Sequence, residues 1–204
     1  MEKRRTALYL ILLVLVAAAA GYMVSQLLAR TTTPQLSAGT ALPVARALPA
    51  FALTDHTGAD FDNSRLAGHP SLMFFGFTHC PDVCPMTLAV MAQLLRDPDL
   101  GQLQAVFVSV DPQRDDTRAM GLYVNAFGGG ITGVRGEEAQ LAPLLQGMGV
   151  AHDTLPLPGG GYTVDHSAAL YYLNERGQWS AVFTPPFDLA TLRQDLITLL
   201  ASDH

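Results

Sequence analysis

The sequence predicts an α/β domain carried behind an N-terminal transmembrane helix, and three observations lead to that reading. Residues 6–28 hold no formal charge over 23 positions. Two runs, 72–77 and 105–110, are apolar almost throughout and read as central strands covered on both faces. Between and after them the apolar residues fall at helical spacing, so strand and helix alternate.

Taken in order, residues 6–28 would reach roughly 34 Å as a helix, enough for a hydrocarbon core of about 30 Å. Lys3, Arg4 and Arg5 precede the run, so the positive-inside rule predicts a cytoplasmic tail at 1–5 and an exported remainder. A cleaved signal peptide is the other reading, with alanines at 17–20 near a cleavage point. The apolar run continues past them through Tyr22, Met23, Val24, Leu27 and Leu28, which favours a single-pass anchor. Residues 29–48 are rich in Thr, Pro, Ser and Ala, lack sustained periodicity and read as a linker. Residues 49–204 are numerous enough for one well-buried core.

Within that domain the strand at 72–77 is followed by Leu88, Met91, Ala92 and Leu95, the i, i+3, i+4, i+7 face of a helix. The strand at 105–110 leads to a helix expected over 115–127, with Arg114, Asp115 and Asp116 as surface charges at its start. Residues 137–146 form a further helix, ended by Gly147 and Gly149. Residues 168–173 and 179–183 flank the turn 174–177 as a hairpin. Asp188 is the expected N-cap of a last helix over 188–200, whose core face is Leu189, Leu192, Leu196, Leu199 and Leu200. A parallel unit followed by a hairpin and a helix is a thioredoxin-like order.

Composition narrows the function. Twelve basic residues face 18 acidic ones, a net charge of −6. Residues 31–204 carry 8 basic and 17 acidic side chains. Such a domain offers no electrostatic footprint for nucleic acid, whose phosphates it would repel. Two cysteines cannot build a disulfide scaffold.

Both cysteines fall in Phe77-Thr78-His79-Cys80-Pro81-Asp82-Val83-Cys84-Pro85, where the first buried strand hands over to a helix. A helix N-terminus presents free N–H groups and a positive dipole end, which should lower thiol pKa values and favour thiolate. Pro81 and Pro85 suit a loop or a first helical turn and would break a helix interior. The i, i+4 spacing permits a disulfide, with Cα atoms about 6 Å apart in a helical turn. It equally suits two thiolates gripping a soft ion with a third donor from elsewhere. Six histidines compete for that role: His56, His69, His79, His152, His166 and His204. His166 follows a stretch with Pro156, Pro158 and three consecutive glycines and precedes an apolar strand, a sheet end on a flexible approach. His79 should face away if Cys80 faces the metal.

The Cys-Pro-Asp-Val-Cys-Pro motif after Phe74-Phe75-Gly76-Phe77, with Val110-Asp111-Pro112-Gln113-Arg114-Asp115 and Val164-Asp165-His166-Ser167, resembles the Sco/SenC family of membrane-tethered copper chaperones. The resemblance runs from about residue 49 onward and includes the N-terminal anchor. It implies a thioredoxin-like fold and copper, as Cu(I) or Cu(II), held by Cys80, Cys84 and His166. It implies work on cytochrome c oxidase subunit II, either metallating its binuclear copper centre or reducing the thiols there. A copper donor, an upstream thiol reductant and a periplasmic or equivalent exported location follow from the same likeness. The same likeness implies a metallochaperone, with thiol–disulfide reductase activity left open as its enzymatic alternative. Asp165, beside the histidine, is a candidate acceptor for its other ring N–H, and Asp111 falls on the sheet edge that should carry the cysteines.

Other functions fit less well. A metal-free thiol–disulfide oxidoreductase usually has two residues between its cysteines, not three, and needs no histidine donor. A peroxidase of the peroxiredoxin type lacks its threonine, since Phe77 and Pro81 hold those places. A binding module with a structural disulfide leaves His166 unexplained. Zinc wants four ligands, or three and water, and the chain has no further cysteine.

Overall fold

The structure, a computed structural model, describes residues 2–29 and 33–203. Its first element is α1 (Glu2–Ala29), whose described apolar side chains, among them Leu10, Leu13 and Tyr22, are exposed. Among the described residues no helix is long and apolar enough to cross a membrane. The side chains at 7–8 and 25–28 of the expected span lie outside the described residues, as do Met1 of the tail and 30–32 of the linker.

Pro34–His204 forms a compact unit of its own. Its elements are β1 (Gly39–Ala47), β2 (Ala52–Asp55), β3 (Asp60–Asp62), β4 (Ser71–Gly76), α2 (Val83–Leu94), β5 (Gln104–Ser109), α3 (Thr117–Asn125), β6 (Ile131–Arg135), α4 (Glu138–Met148), β7 (His152–Pro156), β8 (Tyr162–His166), β9 (Leu170–Leu173), β10 (Gln178–Phe183) and α5 (Leu189–Ser202). One sheet has the order β1-β10-β9-β4-β5-β6-β2-β3, and β7 with β8 makes a separate two-stranded ribbon. β4, β5 and β6 run parallel, joined through α2 and α3, while the β9–β10 hairpin lies antiparallel to β4. This is the α/β arrangement with the thioredoxin-like order expected.

Burial explains why these segments hold. Every residue of β4 is buried, as a strand with neighbours on both sides and helices against its faces requires. Leu88 and Met91 on α2 are fully enclosed, each contributing about 1.5–3 kcal/mol relative to exposure. Asp188 caps α5 by accepting the Thr191 N–H at 2.8 Å, and Leu192, Leu196, Leu199 and Leu200 are buried, whereas Leu189 stays exposed. Asp116 caps α3 through the Ala119 N–H at 2.7 Å, so the helix starts two residues later than expected.

Two segments depart from the sequence reading. Residues 39–47, read as linker, form β1 against β10, with a register shift between Ala41 and Arg46. That shift breaks the alternation by which a strand is recognised. Just before it, the buried Asp195 carboxylate accepts the backbone N–H groups of Ser37 at 2.9 Å, Ala38 at 2.7 Å and Gly39 at 3.1 Å. The second departure is the glycine-rich approach to His166, which is the tip of the β7–β8 ribbon. Gly159, Gly160 and Gly161 all have positive φ, 110°, 98° and 79°, a conformation that favours glycine. His166 is the last residue of β8 and pairs with His152.

Candidate metal centre

β4 ends at Gly76, Phe77 is buried, and the chain turns before α2 starts at Val83. Cys80 lies in that turn, its N–H donating to the Phe77 carbonyl at 3.2 Å. Cys84 is the second residue of α2 and is fully buried, while Cys80 is half-buried. Both are free thiols. Pro85 falls in the first helical turn, where its missing N–H costs nothing. The Cys84 N–H points at the Cys80 sulfur, 3.4 Å away.

Gly76 makes room for the second sulfur. A Cβ placed there would stand 2.8 Å from Cys84 Sγ and 2.9 Å from the Phe107 ring, closer than real Cβ contacts come. The turn is held from below by Asp115, which is fully buried. Its carboxylate accepts the Thr78 N–H at 3.0 Å, the Thr78 hydroxyl at 2.6 Å and the Ser109 hydroxyl at 2.6 Å. Asp115 is therefore not one of the surface charges expected at the start of α3.

β8 brings His166 to the same place. Its ring lies edge-on to Phe74 and Phe77, with centroids 6.0 and 5.8 Å away. Nδ1 is 3.1 Å from the Ser167 carbonyl, which can only accept, so Nδ1 carries the hydrogen and Nε2 the lone pair. Nε2 is 3.3 Å from Cys84 Sγ. The two sulfurs and this nitrogen lie within 4.8 Å of one another, and no other group of three His, Cys, Asp or Glu among the described residues does so. An ion bonded at about 2.0–2.3 Å would set its donors roughly 3.5–4.6 Å apart. Adjustments of a few tenths of an ångström would close the three donors on one ion.

Residues 40–201 match the family model described as SCO1/SenC. The chain belongs to this family. The mouse protein SCO2 homolog, mitochondrial (Mus musculus), is 41% identical over 132 residues, covering 62% of this chain and 52% of that protein. The chain spans about half the length of the mitochondrial relatives it matches. Among solved structures, Bradyrhizobium japonicum ScoI with copper bound is 34% identical with a TM-score of 0.69, over 76% of this chain and 100% of that one. Yeast Sco1 with copper bound is 29% identical with a TM-score of 0.70, over 77% and 90%.

In this SCO1/SenC chain, electrostatics at the centre depart from the helix-terminus expectation. Burial, and after it the adjacent Cys80 thiol, push the Cys84 thiol up, against a smaller opposing effect of the Phe77 N–H. Desolvation of a fully enclosed sulfur outweighs the dipole of the first helical turn. Burial also pushes the His166 imidazole down, so it is held neutral. A neutral thiol facing a neutral imidazole makes the Cys84 S–H the donor to Nε2, and an ion that takes both donors displaces that hydrogen.

The other anticipated residues are placed differently. Asp165 does not receive the His166 ring N–H; it precedes His166 on β8, so its side chain takes the opposite face and is exposed. Asp111 is buried and reaches no sulfur: Oδ1 accepts the Tyr162 hydroxyl at 2.7 Å and Oδ2 the Arg114 Nε–H at 2.5 Å. Arg114, expected as a surface charge, is largely enclosed beside it. His79 is exposed, with Nδ1 3.0 Å from the Thr78 hydroxyl, and stands outside the donor group. Sequence reasoning passed over Gly76, Asp115 and Ser167, whose roles depend on partners brought close only by folding.

Proposed function

We propose that this chain binds one copper ion through Cys80, Cys84 and His166 and acts as a membrane-tethered copper chaperone in cytochrome c oxidase assembly. The observation that carries the reading is the convergence of two thiol sulfurs and one imidazole lone pair within 4.8 Å. Two thiolates and an imidazole suit Cu(I), which accepts low coordination and soft donors, and also give Cu(II) a strongly bonding set. Relatives described as copper-bound support the choice of metal. Copper is cargo in this reading, taken from a donor and passed to the binuclear copper centre of subunit II; alternatively the reduced Cys80–Cys84 pair reduces a disulfide at that centre to two thiols and is itself oxidised to a disulfide, which an upstream reductant reopens. Residues 6–28 are the single-pass anchor, with 1–5 in the cytoplasm and the domain in the periplasm or an equivalent exported space. The uncharged length of that run and the three basic residues before it support this placement.

A metal-free thiol–disulfide oxidoreductase is the weaker reading, because such chemistry needs no histidine donor, whereas His166 Nε2 stands 3.3 Å from Cys84 Sγ and within 4.8 Å of both sulfurs. The test is titration of the reduced, metal-free protein with Cu(I) against a chromophoric chelator, for the wild type and for Cys80→Ser, Cys84→Ser and His166→Ala. One tightly held copper per chain, weakened by each substitution, is the expected result. Unchanged binding by His166→Ala removes the imidazole from the site.

A further inference from the structure

The centre is assembled from two pieces that share no backbone ladder. Cys80 and Cys84 belong to the eight-stranded sheet and its helix, while His166 stands on the separate β7–β8 ribbon. Between the ribbon and the body of the domain runs a cleft of about 400 Å³, bordered by Asp111, Pro112, Glu138, His152, Asp153 and Tyr162. Two sets of polar contacts cross it. One joins His152 Nε2 to Glu138 at 3.3 Å, with the Glu138 carboxylate well exposed. An exposed pair of this kind is worth little.

The other contact is far more enclosed and is built on Arg114. Its guanidinium lies over the Tyr162 ring at 3.8 Å and faces the Phe77 ring at 5.6 Å. Nη1 donates to the Tyr162 carbonyl at 2.9 Å, and Nε donates to the buried Asp111 at 2.5 Å. Asp111 in turn accepts the Tyr162 hydroxyl at 2.7 Å. Tyr162 opens β8 four residues before His166, and Phe77 stands three residues before Cys80. One side chain thus touches the approach to the cysteine pair and the approach to the histidine together. A planar guanidinium can stack on a ring while its edge makes directed hydrogen bonds, which an ammonium cannot. A largely enclosed pair of this kind is better suited to fixing geometry than to adding net stability.

We propose that Arg114 is a positioning residue: gripping Tyr162 on the ribbon and Phe77 beside the cysteine turn, it holds His166 against the two sulfurs. The inference rests on the reading of Cys80, Cys84 and His166 as copper ligands. Arg114 touches no donor atom and acts on copper only through the placement of His166. Removing a residue that orients a ligand costs roughly 10–100-fold in metal affinity, and Arg114→Lys, which keeps the charge and loses the stacked fork, should fall in that range.

The test is a double-mutant cycle on the full-length chain, measuring Cu(I) affinity by competition with bathocuproine disulfonate. Arg114→Lys should lose about tenfold in a background with His166 and less than about twofold in a His166→Ala background. Nitrogen hyperfine coupling in the electron paramagnetic resonance spectrum of the Cu(II) form should weaken in Arg114→Lys while the sulfur-to-copper absorption persists. Tyr162→Phe, which deletes one hydroxyl and leaves the fold intact, should show a smaller loss with the same dependence on His166. Equal losses in both backgrounds, or no loss with His166 present, would overturn the positioning role while leaving the ligand set standing. Wild-type affinity in His166→Ala alone would instead overturn the ligand set and, with it, this inference.

Discussion

Replacing Gly76 with alanine places one methyl group where three buried neighbours already meet. The new carbon would stand 2.8 Å from Cys84 Sγ, 2.9 Å from the Phe107 ring and 3.2 Å from the Phe74 ring. None of the three is a flexible side-chain end at the surface, since Cys84, Phe107 and Phe74 are all fully buried. Reaching an ordinary contact of about 3.5–4.0 Å requires the sulfur or the backbone to move by close to 1 Å. Overpacking of this kind costs about 1–3 kcal/mol. For a unit of this size that lowers Tm by about 2–12 °C. The sulfur that moves is the one 3.3 Å from His166 Nε2, so the same substitution should weaken Cu(I) binding as well. Thermal unfolding of the reduced protein, followed by Cu(I) competition on the same preparation, reads both effects. An alanine variant that melts within a degree of the wild type and binds copper equally well would refute the claim that this glycine shapes the centre.

Three further outcomes are expected. Asp115→Asn removes the charge from a carboxylate that accepts three hydrogen bonds under the cysteine turn and should destabilise the domain by about 1.5–3 kcal/mol, read as a lower urea midpoint; an unchanged midpoint would contradict that role. Burial raises the Asp55 carboxyl, but the Thr57 hydroxyl and N–H, the Ala59 N–H and Arg65 together outweigh it and hold the group below the usual carboxylate range. A folded-state pKa below the unfolded value stabilises at higher pH and is lost as pH falls through the folded value, so below about pH 4 the wild type should lose stability more steeply than Asp55→Asn, and parallel acid limbs would count against this. Finally, fully oxidised protein with no free thiol should take up no stoichiometric copper, because a Cys80–Cys84 bond would consume both of the proposed sulfur ligands; stoichiometric binding under those conditions would place the ligands elsewhere.

What the sequence reveals follows the range of the interactions involved. β4 and β5 are legible because strands buried on both faces must be continuously apolar, and α2 and α5 because their core faces repeat every turn. β1 is hidden by its register shift. β7 and β8 are hidden because a ribbon outside the main sheet, with sequences His-Asp-Thr-Leu-Pro and Tyr-Thr-Val-Asp-His, buries little beyond Val164 and needs no apolar period. At the centre, the cysteine pair announces itself through its prolines and its place after a buried strand. Its position before an apolar strand points to His166 among six histidines, but the family resemblance is what decides it, since its nearness to Cys84 spans 82 positions of sequence. Asp115 and Arg114 read as surface charges because the residues that enclose them, Thr78 and Tyr162, lie 37 and 48 positions away. The helix-terminus argument predicts a lowered Cys84 thiol and fails because it contains no information about burial.

The Asp195 contact with Ser37, Ala38 and Gly39 bears on how a soluble form of this protein should be cut. A truncation placed at residue 49, where the sequence reading ends the linker, would discard β1 and the three N–H groups that Asp195 holds. The buried carboxylate would then be stranded, and β10 would become a bare edge strand with its outward N–H and C=O groups unpaired. Exposed edges of that kind recruit other chains, and such a fragment would aggregate or pair edge to edge. Starting the fragment ahead of Pro34 keeps the sheet closed on that side and leaves the carboxylate its donors.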